Sequence, residues 1–215
     1  MPSVPRGCFR VIRRFSMARA VAFLAIAILS LLAVPASAAV QITFYSKELS
    51  DSFPHAFVVI EGTPDRGGER IKEDYGFSAK TISPAILWGK VKGVVLNDHS
   101  DSYVGASDAH FTLALSDAEY DRVLAIVEQW RAAKQPSYDL DKANCVHFVG
   151  AVAATIGMQV DTSRFMKKPK SFITALTEQN QAWLKTRNAV FHRAAPPAKA
   201  PLVVGTKPAR PRRER

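Results

Sequence analysis

Seven consecutive residues, His55-Ala56-Phe57-Val58-Val59-Ile60-Glu61, set the strongest constraint on how this chain can fold. They are mostly apolar and rich in β-branched side chains, with Pro54 before them and Gly62-Thr63-Pro64-Asp65 after them. A short apolar run between turn residues is the pattern of a buried strand followed by a turn. Such a strand needs neighbours. Gln41 to Tyr45 alternates and supplies one, and Tyr75 to Thr81 supplies another after the polar loop Asp65 to Asp74. Val91 to Leu96 and Ala109 to Leu115 add two more; in the second, Phe111, Leu113 and Leu115 alternate with His110, Thr112 and Ala114. The sum is a small, mainly antiparallel sheet.

Helices follow the strands. Ser116-Asp117-Ala118-Glu119 is a capping box, and Leu115 with Tyr120 fits the hydrophobic staple. Tyr120, Val123, Leu124, Val127 and Trp130 make an apolar stripe that ends before Gln135-Pro136. A second helix is expected from Asn144, as N-cap, to Ile156, with Gly157 as its stop. A weaker helical region runs from Ser171 to about His192. The fold class is therefore α+β, with the antiparallel sheet packed against helices.

The two ends of the chain differ from the middle. Arg6, Arg10, Arg13, Arg14 and Arg19 precede an apolar run, Ala20 to Val34, and then Ala36-Ser37-Ala38. This is the layout of a secretory signal peptide at residues 1–38, cut after Ala38, which sends the protein to the periplasm or outside the cell. An uncleaved N-terminal helix acting as an anchor is the alternative. Residues 193–215 form a Pro/Ala/Lys/Arg tail without the apolar residues needed to fold, and are expected to be disordered. One domain of ordinary size, residues 39–192, remains between them.

Charge divides in the same way. The formal net charge of +10 comes from the ends, because Lys47 to Arg187 carries 17 basic and 18 acidic residues. A nucleic-acid partner would call for Lys and Arg on the folded surface, so nucleic acid is discounted. The basic tail can make at most weak contact with anionic envelope components.

Of the two cysteines, Cys8 leaves with the signal and Cys145 stays. Cys145 opens the second helix, in Asn144-Cys145-Val146-His147-Phe148-Val149, where the helix dipole and unpaired N–H groups favour a thiolate. A nucleophilic thiol also needs a base. His147 is excluded by helix geometry, since two residues along a helix are about 200° of rotation apart. His55, at the start of the apolar strand, is the best placed. His110 is expected to face solvent, His99 sits in the turn Asn97-Asp98-His99-Ser100-Asp101, and His192 borders the tail.

His55-Ala56-Phe57-Val58 at a strand start, then Tyr138 and Leu140 leading into Asn144-Cys145-x-x-Phe148-Val149 at a helix start, resembles the circularly permuted papain-like fold. Within it the chain is similar to the branch of lecithin retinol acyltransferase-like proteins and bacterial cell-wall amidase relatives. The resemblance spans roughly Gln41 to Met158. It implies that Cys145 is the nucleophile and His55 its base. It also implies a polar residue, on the strand after the histidine strand, that holds the imidazole. That strand, read from Tyr75, shows no His, Asn or acid at its centre, which leaves Ser78 or Glu61 for this role.

The implied activity is that of an exported cysteine hydrolase. Cys145 attacks a carbonyl, its backbone N–H holds the oxyanion with Tyr138 and Asn144 nearby, and His55 serves the leaving group and the resulting thioester. The substrate is a peptide or acyl group: a peptidoglycan peptide, with a lipid acyl group as the variant. An inactive envelope-binding or structural module of the same fold is the competing reading. No cofactor or metal is called for. The Gly67-Gly68-Glu69 stretch lacks the Gly-Lys-Ser/Thr of a phosphate loop, and the scattered His residues have no metal-ligand spacing.

Overall fold

The structure, a computed structural model, describes residues 40–48, 53–163, 165 and 167–193. The expected signal segment and most of the basic tail lie outside the described residues. Six strands, β1 (Gln41–Lys47), β2 (His55–Gly62), β3 (Ile71–Ala79), β4 (Gly93–Leu96), β5 (Asp108–Ala114) and β6 (Val190–Phe191), form one antiparallel sheet in the order β4-β3-β2-β1-β5-β6. Among the described residues five α-helices accompany it: α1 (Asp101–Gly105), α2 (Asp117–Arg131), α3 (Cys145–Thr155), α4 (Pro169–Gln179) and α5 (Gln181–Thr186). A 3-10 turn occupies Pro84–Leu87. The α+β class read from the sequence is what the chain adopts.

β2 is buried along almost its whole length because it is central and covered on both faces. On the helix side, register aligns Ile42 with Ile60, Phe44 with Val58 and with Phe111, and Val58 with Tyr75. These side chains meet Val123 and Val127 of α2, Phe148, Val149 and Val152 of α3, and Phe172, Ile173 and Leu176 of α4 in one core. Trp130 joins it by edge contacts to Phe77 and Phe148, at 4.7 and 5.5 Å. On the other side of β2, Tyr45 and Phe57 stack at 5.2 Å, and Phe57 continues onto His99 and Tyr103.

Local chemistry fixes the helix ends. The Ser116 hydroxyl accepts the Glu119 amide, and the Glu119 carboxylate accepts the Ser116 amide at 2.9 Å, completing the capping box. Asp117 then takes the amides of Asp65 and Arg66, at 2.9 and 2.7 Å, tying the β2–β3 loop to the start of α2. At α3, Asn144 Oδ1 accepts the Val146 and His147 amides, while its Nδ2 donates to Leu140 O at 2.7 Å. Gly157, at φ +98°, stops the helix in the left-handed region open to glycine.

Three expectations need correction. β3 begins at Ile71 rather than Tyr75, because the polar residues Lys72, Glu73 and Asp74 pair with β2 and are part of the strand. His110 does not face solvent: the β1–β5 register shifts between Phe44 and Tyr45, and its imidazole Nε2 bonds to the buried Ser46 Oγ at 2.8 Å. Burial pushes His110 down to about 4. The last helical region is two helices and a strand. Asn180 holds Gln159 and Leu176 through its amide and marks the break between α4 and α5. Asn188, at φ +53°, then turns the chain so that β6 can pair with β5.

Candidate active site

The β2–β3 ladder runs from Gly62↔Ile71 to Val58↔Tyr75, and on its other edge β3 pairs with β4 from Gly76 to Ala79. Beyond the end of the β2–β3 ladder lies a cavity of about 230 Å³, lined by Phe77 and Ser78 from β3, His55 from β2 and Cys145 from α3. Phe53, Pro54, Ile82, Ile86 and Leu96 make much of the rest of the wall apolar, and Tyr138, His99 and Tyr103 complete it.

Cys145 is the first residue of α3 and is buried. Its thiol lies on the helix side of β2, where the backbone N–H of Ala56 is directed at it together with those of Val146 and Cys145 itself. Burial dominates: it pushes the thiol up to about 11, and the three amides only partly offset this. The expectation of a resting thiolate is thus overturned. The helix start does supply N–H groups, but a dry site penalises the charged form more strongly.

His55 approaches from the opposite side of β2. Its ring lies 6.0 Å from Phe57 and 5.5 Å from His99, centroid to centroid. Its Nε2 is buried and has no hydrogen-bond partner among the described residues. The space it occupies exists because residue 76 is glycine. A Cβ there would stand 2.4 Å from His55 Nε2 and 3.2 Å from Cε1. Burial, reinforced by His99 and opposed by Asp74, pushes His55 down to about 3. Near neutral pH the pair is therefore a neutral imidazole and a neutral thiol, lining one cavity without a hydrogen bond recorded between them.

The polar support of His55 was missed from sequence. Asp74, on β3, holds His99 through both the His99 amide and its ring Nδ1, which donates to the carboxylate at 2.5 Å. His99 in turn faces His55. Reading β3 from Tyr75 hid Asp74, although continuing the alternation of Ser78 and Gly76 backwards by one step places it on their face. An isolated Gly inside the strand was the second signal, since it marks close approach of another group. From sequence His99 reads only as a turn residue. Its partners are indeed not its neighbours Asp98, Ser100 and Asp101 but Asp74 and His55, from two separate strands.

The remaining candidates separate clearly. Ser78 lines the cavity, opposite Val94 in the ladder. Glu61 does not reach it: it pairs with Gln41 and Lys72 at the far end of β2, about 20 Å along the strand from His55. Tyr138 is half-buried on the cavity wall, held by backbone pairing with Val91, and its hydroxyl is pushed up by burial and by the proximity of Cys145. Asn144 is wholly buried and serves as the α3 cap, so its amide shapes the loop that carries Cys145 rather than lining the cavity. His147 turns away from the cavity and bonds Asn144 Oδ1 at 3.0 Å. Among the described residues no group of His, Cys, Asp and Glu could hold a metal ion, and no helix is long and apolar enough to cross a membrane.

No family model, curated protein or solved structure matches this chain. What fold and site define is coarser: an α+β domain with a six-stranded antiparallel sheet and a cavity lined by a buried cysteine and a buried histidine.

Proposed function

We propose that this chain is an exported cysteine-dependent acyl hydrolase of the circularly permuted papain-like kind, with Cys145 as nucleophile and His55 as proton acceptor. One observation carries the reading. A buried imidazole nitrogen without a partner and a helix-start thiol belong to residues that line the same cavity. The order of the parts, histidine strand before cysteine helix, agrees with the permuted arrangement.

Both groups are neutral at rest and no hydrogen bond joins them, so the thiol proton has to reach His55 in the substrate-bound state, as sulfur attacks the carbonyl carbon. The Cys145 amide lies beside the sulfur and is placed to donate to the developing oxyanion. The leaving group takes the proton back from His55, and a thioester remains on Cys145. Water, deprotonated by His55, then hydrolyses it. Asp74 and His99 act on this through position, packing and hydrogen-bonding the face next to the imidazole.

Peptidoglycan peptides, the amide substrate that export would bring within reach, are polar. The wall formed by Phe53, Pro54, Phe77, Ile82, Ile86 and Leu96 fits an apolar acyl group better. A lipid acyl ester or amide is therefore the preferred substrate class.

The missing hydrogen bond between thiol and imidazole, and a thiol held protonated to about 11, favour the second reading, a catalytically inactive module of the same fold. Incubation of the full chain with p-nitrophenyl acyl esters of increasing length decides between them. A hydrolase gives a covalent thioester on Cys145 visible by mass spectrometry, and turnover that rises with chain length. His55→Ala then slows it about 100-fold or more, and Cys145→Ala abolishes it. If neither ester nor peptide anilide ever acylates Cys145, the inactive reading stands.

A further inference from the structure

The apolar lining of the cavity does not stop at its mouth. Phe53 and Ile82 line it and are 55% and 51% exposed, and the chain from Ile82 leads through the 3-10 turn to Leu87 and Trp88, 66% and 80% exposed. Four large apolar side chains in the open are an unusual feature for a surface otherwise rich in charge. The charge around them is one-sided. Gly76 to Asn97 contains no Asp or Glu, and its three lysines, Lys80, Lys90 and Lys92, are all exposed.

We propose that this segment, from Lys80 to Lys92 together with Phe53, docks on the surface of an anionic phospholipid bilayer. Trp88, Leu87 and Ile82 enter the headgroup and upper acyl region while the lysines meet lipid phosphates. The combination selects this partner. Exposed Trp beside Leu and Ile is what an interface between hydrocarbon and water favours, and three exposed lysines on a segment that itself carries no Asp or Glu match a negatively charged membrane face. Because Ile82 and Phe53 belong to both the patch and the cavity wall, docking sets the cavity mouth against the lipid. This goes beyond the proposed hydrolysis, since docking makes no use of the Cys145 thiol.

The experiment uses the full chain and vesicles of phosphatidylcholine with or without phosphatidylglycerol. The basic C-terminal tail adds its own attraction, so the variants are confined to the segment. Leu87→Ser with Trp88→Ser, and separately Lys80→Glu with Lys90→Glu and Lys92→Glu, each weaken partition to the phosphatidylglycerol vesicles about tenfold. Brominated lipid quenches tryptophan emission in the natural chain, and Trp88→Phe removes that quenching while circular dichroism confirms the fold is kept. Cys145→Ala partitions like the natural chain, which separates docking from catalysis. Unchanged vesicle affinity in the Leu87/Trp88 variant, or emission that brominated lipid leaves untouched, overturns the proposal. So does a dimer in light scattering that this variant dissolves, since a second copy would then be the occupant of the patch.

Discussion

At the scale of single residues, the site depends on what Gly76 does not have. The His55 ring lies where the Cβ of any other residue would be, 2.4 Å from Nε2, and Phe57 Cβ at 3.1 Å closes the other direction. Gly76→Ala is expected to force the imidazole out of its place against His99. The cost is about 1–3 kcal/mol of overpacking in urea titrations, and acylation of Cys145 is expected to fall in parallel with His55→Ala. Alanine at 76 with unchanged stability and acylation would mean that the ring does not rest there. The thiol carries a second residue-scale expectation. Burial raises Cys145 from its ordinary value of 9.0 to about 11, so alkylation of the resting protein by iodoacetamide is slow at neutral pH. It then rises about tenfold per pH unit until near pH 11 or until the fold is lost. A rate that levels off below pH 8 would show that the sulfur is not desolvated as the structure has it.

At the scale of elements, the strand partition matters more than any one strand. β2 and β3 share a ladder only as far as Val58 and Tyr75, while β4 pairs with the other edge of β3 from Gly76 to Ala79. The cavity lies beyond the end of the β2–β3 ladder, where His55, Phe77 and Ser78 line it together with Cys145. α3 is then aimed at it by its cap. Asn144 satisfies two amides and ties Leu140 in the loop before the helix, whereas Ser116 at α2 works within an exposed capping box. Asn144→Ala should therefore cost about 2 kcal/mol or more, and Ser116→Ala about 1 kcal/mol. Chemical denaturation checks the order of the two. Equal losses would mean that the buried amide of Asn144 does no more than a surface cap. The sequence showed both caps, the alternating strands and both long helices. It did not show that Asn180 and Asn188 would divide the last helical region into two helices and a strand. Asn180 acts through a tertiary partner, Gln159, that has no local pattern, whereas Asn188 ends the last helix locally, with its own amide on Lys185 O and that of Ala189 on Leu184 O.

At the scale of the whole molecule, burying two neutral imidazoles couples folding to pH. His55 is held at about 3 and His110 at about 4, both below the ordinary 6.5, so between those values the unfolded chain binds protons that the folded chain refuses. Stability is fully present above about pH 6.5 and is lost as pH falls toward the folded values. From pH 7 to pH 5 the loss is about 2 kcal/mol for the fully enclosed His55, and less for the partly accessible His110. Urea midpoints across this range test it: His55→Gln should flatten the slope, and a slope equal to that of the natural chain would show that His55 is not buried neutral.

The division of labour between sequence and structure follows from the range of the forces involved. Period-two alternation, capping boxes and turn residues act between near neighbours. They were enough to determine the α+β class and the extent of the two long helices, and they made Cys145 and His55 the candidates among the titratable residues. The company those two keep was decided in three dimensions. Solvent exclusion set the thiol and the imidazole to neutral forms, the packing of α3 on the sheet brought them to one cavity, and an Asp from one strand with a His from a distant turn came to stand beside His55. Desolvation depends on every atom packed around a group, and contact across a sheet depends on register. Neither is written in the spacing of residues along the chain.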